Sequence, residues 1–280
     1  MKLSIIFASF LFISSLYAQS SLPKWEADLN QARELFELSE YQKAYEITAK
    51  ILAESEEGTQ QWVDSSYFTA FAALHAGKLT EANKWFELHI NAYGAGLQEG
   101  NIDDVYFLWI DNLIYGFAAY YQNTGDFKSS LKFHQARLNF FNSYTSTLKQ
   151  RDWALAHNNI SVSLSSLKRF DEARKHLIIA IGYAKSDPVT LKYLKFQEIL
   201  ILASEEKCEE FEKKIEGSFA KSLNSLQQVV LKFSLLECKG ELEKALLLAN
   251  KTLKKHSKSD VNKTIELLIL KQYVDKNSNK

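Results

Sequence analysis

The chain has 280 residues and carries 34 Lys and Arg against 34 Asp and Glu, a formal net charge of zero. A balanced chain has no overall electrostatic pull toward nucleic acid or an anionic membrane, so neither is expected as a partner. Two prolines and ten glycines are too few for a turn-rich sandwich or barrel, and two cysteines do not make a disulfide-stapled scaffold.

At the N-terminus, Lys2 precedes an apolar run from Leu3 through Leu16, followed by Tyr17, Ala18, Gln19 and Ser20. This order reads as a secretory signal peptide over residues 1–18, cut after Ala18. The run is shorter than the ~20 apolar residues that span a bilayer. An uncleaved anchor is the rival reading, because Leu16 is bulky for a cleavage site. The expected mature chain is exported, with the periplasm as first destination and secretion as the alternative, and has no membrane span after cleavage.

Beyond the leader, Leu22-Pro23-Lys24-Trp25 suits a helix start, where proline's missing amide hydrogen costs nothing. A short phrase then recurs: Ser39-Glu40-Tyr41-Gln42-Lys43-Ala44, Gly77-Lys78-Leu79-Thr80-Glu81-Ala82, Gly125-Asp126-Phe127-Lys128-Ser129-Ser130, Lys168-Arg169-Phe170-Asp171-Glu172-Ala173 and Gly240-Glu241-Leu242-Glu243-Lys244-Ala245. Each copy is a polar turn, a large apolar residue, two polar residues and a small one. Glu206-Lys207-Cys208-Glu209-Glu210-Phe211 is a degenerate copy that fits only if Cys208 and Phe211 take the apolar and small slots. Twelve residues before the small residue stands another: Ala32 before Ala44, Ala70 before Ala82, Ala118 before Ser130, Ser161 before Ala173. In the last unit Phe233 stands there instead, twelve before Ala245. Small residues on both members of a helix pair let the backbones approach, and the flanking apolar residues fall at three- and four-residue steps.

These phrases resemble the tetratricopeptide repeat family, whose unit is a helix–turn–helix of about 34 residues. The markers at 44, 82, 130, 173, 211 and 245 lie 38, 48, 43, 38 and 34 apart, so most units are longer than the family's. The resemblance implies an all-α, right-handed solenoid of antiparallel helix pairs, about six units over residues 19–258. Residues 259–280 are expected to form a capping helix, with Val261, Ile265, Leu268 and Ile269 on one face, and a polar tail. The longest step contains residues 91–100, the most loop-like stretch of the chain.

A search for chemistry finds little. Gly94, Gly96 and Gly100 have the wrong spacing for a nucleotide loop, and no strand precedes them. His75, His89, His134, His157, His176 and His256 form no metal-ligand spacing. Glu54, Glu56, Glu57, Asp103 and Asp104 fall at expected helix ends, where they serve as solvated or capping charges. Sequons at Asn159, Asn250 and Asn262 all lie in expected helices. No catalytic residue, metal site or cofactor is expected. Cys208 and Cys238 are read as small apolar packing residues, and topology leaves a second option open. One starts a helix and the other ends the next, so an oxidising compartment could pair them.

The resemblance also implies that the first helices of the pairs build the concave, partner-binding surface. Counting from the small residue of each first helix, that face reads Arg33, then Asp64, Tyr67, Phe71 and His75, then Asn112, Tyr115 and Asn123, then Asn158 and Ser166. Asparagine and tyrosine can present donors, acceptors and a broad contact to a peptide, although half-exposed helix residues of these types also serve ordinary packing. With Arg33 nearly alone, a basic carboxylate grip is not supported. The expected function is an exported non-catalytic scaffold for a protein or peptide of unknown identity. The alternative is a periplasmic sensory or small-ligand-binding protein.

Overall fold

The computed structural model of the chain describes residues 22–98, 104–143, 148–256 and 265–277; the leader over residues 1–18 lies outside them. Every regular element among the described residues is helical. The helices divide into two compact units, one built from residues 19–167 and one from residues 168–280.

In the first unit, α1 (Lys24–Glu37), α2 (Tyr41–Ala53), α3 (Gln60–His75), α4 (Leu79–Gln98), α5 (Asp104–Asn123), α6 (Phe127–Ser143) and α7 (Gln150–Ser166) each pack on the next. In addition, α1 lies beside α3, and α3 beside α5. The second unit comprises α8 (Phe170–Tyr183), α9 (Pro188–Ser204), α10 (Cys208–Ile215), the one-turn α11 (Ser218–Lys221), α12 (Ser225–Cys238), α13 (Leu242–Leu253) and α14 (Ile265–Asn277). Here α9 packs on α8, α10 and α12, and α14 covers α12 and α13. Consecutive pairing of helices is the packing a helical repeat requires.

The recurrent phrase turns out to be one backbone device used six times. Its first residue is left-handed in every copy: Ser39 (φ 64°), Gly77 (76°), Gly125 (82°), Lys168 (60°), Glu206 (60°) and Gly240 (75°). In four copies the following amide donates back over the helix end: Glu40 to the Leu35 carbonyl (2.9 Å), Lys78 to Ala73 (2.9 Å), Lys207 to Leu202 (3.0 Å) and Glu241 to Leu236 (2.8 Å). That six-to-one bond closes the helix and reverses the chain within three residues. The large apolar residue of each phrase then opens the next helix: Tyr41, Leu79, Phe127, Phe170, Cys208 and Leu242.

The small residues are where close approach needs them. Ala32, Ala44, Ala70, Ala82, Ala118, Ser130, Ser161 and Ala173 are all buried, as are Phe211, Phe233 and Ala245. Gly116 carries the same logic further. A methyl group on its Cα would stand 2.5 Å from Cε2 and 2.6 Å from Cζ of Phe71, so the Phe71 ring lies directly on the α5 backbone.

One expectation is corrected, and two details are added. The stretch read as a loop continues as helix through Gln98, with Gly94 and Gly96 inside α4. It contains no proline, and two glycines weaken a helix without stopping it; Gly100 and Asp103 lie outside the described residues. The second helix of the fifth pair is only eight residues long and is followed by α11, because Gly217 interrupts it. In the terminal helix Leu267 and Leu270 are buried, with Tyr273 and Val274 packed against the same core, and Ile269 of the expected face is half-buried; the side chains of Ile265 and Leu268 lie outside the described residues. The run Ile-Glu-Leu-Leu-Ile-Leu is apolar at nearly every position, so periodicity could not choose a face. Residues 259–261 lie outside the described residues.

Cys208 and Cys238 are joined by a disulfide, with Cα atoms 5.7 Å apart. It ties the start of α10 to the end of α12, flanked by the exposed Lys239–Glu212 ion pair.

Candidate functional site

All ten residues read as a partner-binding face belong to α1, α3, α5 and α7 of the first unit. Arg33 is half-buried on α1 and donates to Asn30 Oδ1 at 2.9 Å. On α3, Asp64 accepts from Gln60 Nε2 at 2.7 Å. Burial lifts the Asp64 carboxyl to about 6, opposed in part by that hydrogen bond and by the charge of Arg33. Tyr67 feels both Arg33 and Asp111, and burial first, then the Asp111 charge, pushes its phenol above the ordinary value. Arg33, Asp64 and Tyr67 therefore form one electrostatic neighbourhood.

Further along α3 the face becomes aromatic. Phe71 stacks on Tyr67, ring centroids 6.0 Å apart, and tilts against His75 at 5.5 Å. His75 also meets Phe36 and Tyr41, both at 5.0 Å, and Tyr120 at 6.5 Å. Burial in this box lowers the imidazole to about 4, so His75 is neutral. It lines a shallow hollow of about 290 Å³ together with Ser39, Glu40, Tyr41, Gln42, Lys43 and Ala76.

On α5, Asn112 and Tyr115 are half-buried. Beside them lies a pair that sequence reasoning missed. Asp111 is buried, and both its oxygens accept from Arg137 of α6: Oδ1 from Nε, and Oδ2 from Nη2 at 2.8 Å. Burial alone would lower the Arg137 pKa; the hydrogen bond and charge of Asp111 outweigh it and hold the guanidinium charged. That guanidinium lies 5.1 Å from the Tyr115 ring centroid and 4.9 Å from that of Phe141. His134, one turn before Arg137, is 2% exposed with its ring against Tyr115, and neither ring nitrogen has a hydrogen-bond partner. Burial and then the Arg137 charge push it down to about 3, leaving it neutral. The signal available in sequence was a lone acid ending the apolar run Phe107-Leu108-Trp109-Ile110-Asp111. A charge in such a setting needs a partner.

The remaining predicted residues separate into two kinds. Asn123 and Ser166 are exposed at the C-terminal ends of α5 and α7, where Ser166 donates back to the Val162 carbonyl at 3.1 Å. Asn158 is 1% exposed on α7, and neither atom of its carboxamide has a hydrogen-bond partner. It stands three residues before Ser161, as Tyr67 and Tyr115 stand three before Ala70 and Ala118. Asn158 is thus a residue of the helix wall rather than an open contact point.

The face as built is a graded strip: charged and hydrogen-bonding near Arg33, Asp64 and Tyr67, aromatic around His75, and ion-paired beneath Tyr115. Among the described residues no group of three or more His, Cys, Asp or Glu is placed to hold a metal, and no helix is long and apolar enough to cross a membrane. No protein-family model matches the chain, and no curated protein matches it either.

Proposed function

We propose that this chain is an exported, non-catalytic scaffold of the tetratricopeptide type that binds a protein or peptide along the first helices of its pairs. The observation that carries the reading is the half-buried polar and aromatic strip Arg33, Asp64, Tyr67, Asn112 and Tyr115 on three neighbouring helices. Contacts give the strip a sidedness. α1 touches α3 and α3 touches α5, whereas among the described residues no comparable contact joins α2 to α4. Closer packing among α1, α3 and α5 than between α2 and α4 favours a wall that curves inward along the strip, in the sense expected of such repeats. A disulfide is at home in an oxidising compartment, which favours export to the periplasm or beyond.

The hollow at His75 favours a second reading, a sensor that takes a small ligand. Its volume of about 290 Å³ is at the lower end for a ligand site.

One experiment separates the two. Chain 19–280 and a variant carrying Arg33→Glu and Asn112→Arg, both at half-exposed positions, are used to capture proteins from an envelope extract. Each captured protein is purified and titrated by calorimetry. Binding to the native chain that is lost in the variant supports the scaffold. Equal binding by both removes the strip. A rise in melting temperature with a metabolite pool, abolished by His75→Ala while nothing is captured, favours the second reading.

A further inference from the structure

Overall neutrality conceals a segregation of charge. Residues 19–167 carry 11 Lys and Arg against 18 Asp and Glu, a net of −7. Residues 168–280 carry 22 against 16, a net of +6. The exclusion of an anionic partner drawn from the whole-chain balance therefore does not extend to the second unit.

The excess is organised on α13. Ala245, Ala249 and Thr252 are buried and turn one side of the helix to the core. On the other side Lys244, Leu247 and Lys251 fall within about 60° of arc at 3.6 residues per turn, and Lys254 and Lys255 follow just beyond the helix end; all five are exposed. Lys244 pairs with Glu241 at 2.7 Å, whereas Lys251, Lys254 and Lys255 join no ion pair among the described residues. Leu247 is 70% exposed between Lys244 and Lys251. The helix dipole accounts for cations in the last turn. It does not account for a large apolar side chain held in water among them.

We infer that this stripe is a docking surface for an anionic lipid membrane, with Lys244, Lys251, Lys254 and Lys255 facing the headgroups and Leu247 inserting between them. Two features favour a lipid surface over an acidic protein. The cations are all lysine, compact point charges without the fork that fixes a carboxylate or phosphate in one geometry, so they suit a fluid array of headgroups. The exposed leucine supplies the apolar contact an interfacial helix makes at the acyl boundary. The inference stands on the second unit and does not depend on the proposed groove in the first.

The test is co-sedimentation of chain 19–280 with vesicles of equal parts phosphatidylglycerol and phosphatidylcholine, against vesicles of phosphatidylcholine alone. Binding is expected only to the anionic vesicles, weakening as salt shortens the Debye length. Lys251→Gln/Lys254→Gln/Lys255→Gln is expected to lower affinity on the order of 100-fold, and Leu247→Ser by roughly tenfold. All four positions are exposed, so circular dichroism should be unchanged, and Arg33→Glu/Asn112→Arg should bind as the native chain does. No binding by the native chain, or equal binding by the triple variant, overturns the proposal. So does displacement by polyglutamate or duplex DNA with Leu247→Ser unaffected, which would mark a general cationic patch.

Discussion

Gly116 offers the sharpest check on the packing of the first unit. Replacing a helical glycine with alanine normally stabilises by about 0.5–1 kcal/mol, because the unfolded chain loses freedom. At Gly116 the added methyl would meet the Phe71 ring at 2.5 and 2.6 Å. That ring cannot swing away freely, being held by Phe36 at 5.8 Å, Tyr67 at 6.0 Å and His75 at 5.5 Å. Overpacking of this kind costs about 1–3 kcal/mol, so the net for Gly116→Ala is a loss of about 0.5–2 kcal/mol. Gly182 is an internal control, since a methyl there has nothing within 4 Å. Gly182→Ala should therefore gain about 0.5–1 kcal/mol. Urea unfolding followed by circular dichroism measures both, with each unit's transition fitted separately should they not coincide. Phe71→Leu added to Gly116→Ala should recover more than the two single changes allow, a coupling expected only of touching groups. A Gly116→Ala protein as stable as the native one would refute the contact.

Other consequences are equally direct. The disulfide spans 30 residues of sequence, so Cys208→Ser/Cys238→Ser should cost the second unit about 3.5–4 kcal/mol in denaturation. Mass spectrometry after alkylation should find no free thiol before reduction; two free thiols would sink the claim. Asp111→Asn and Arg137→Met should each cost about 3–5 kcal/mol by stranding a buried charge, while Asp111→Leu/Arg137→Met should recover most of it. Lys168→Gly and Glu206→Gly, at φ of 60°, should each raise stability by about 1 kcal/mol in urea. His134 and His75, lowered to about 3 and about 4, are neutral in the fold and take up protons on unfolding below about 6.5. Their contribution is complete above that value and is lost as pH falls toward 4. Asp64, raised to about 6, opposes them in part, because its burial penalty is relieved as it protonates. Two imidazoles against one carboxyl give a first unit that weakens between about pH 6.5 and 4; a flat or rising profile would contradict it.

The helix ends were legible because they depend on local chemistry. The phrase that begins at Ser39 and at Gly77 marks a left-handed residue followed by a helix start, and it does so even in the degenerate copy at Glu206. The buried small residues were legible because they recur at a fixed interval. What escaped has a common cause. Asp111 and Arg137 are 26 residues apart and gain meaning only when α5 and α6 lie side by side. Register could place Asn158 on the same ladder as Tyr67 and Tyr115, yet not how deep that ladder sits. The helix through Gln98 escaped because glycine was weighed as a stop when no proline or turn bond enforces one.

The six turns close through the same backbone conformation, yet only three use glycine; serine, lysine and glutamate occupy the others. A connection defined by a carbonyl and an amide rather than by a side chain is nearly silent in amino-acid identity. Such an array can drift letter by letter, with each substitution at a turn trading about 1 kcal/mol of strain, while its geometry is inherited intact. Kinship among proteins built this way is then written in intervals, the twelve residues between small partners and the step between turns, and only faintly in the residues themselves.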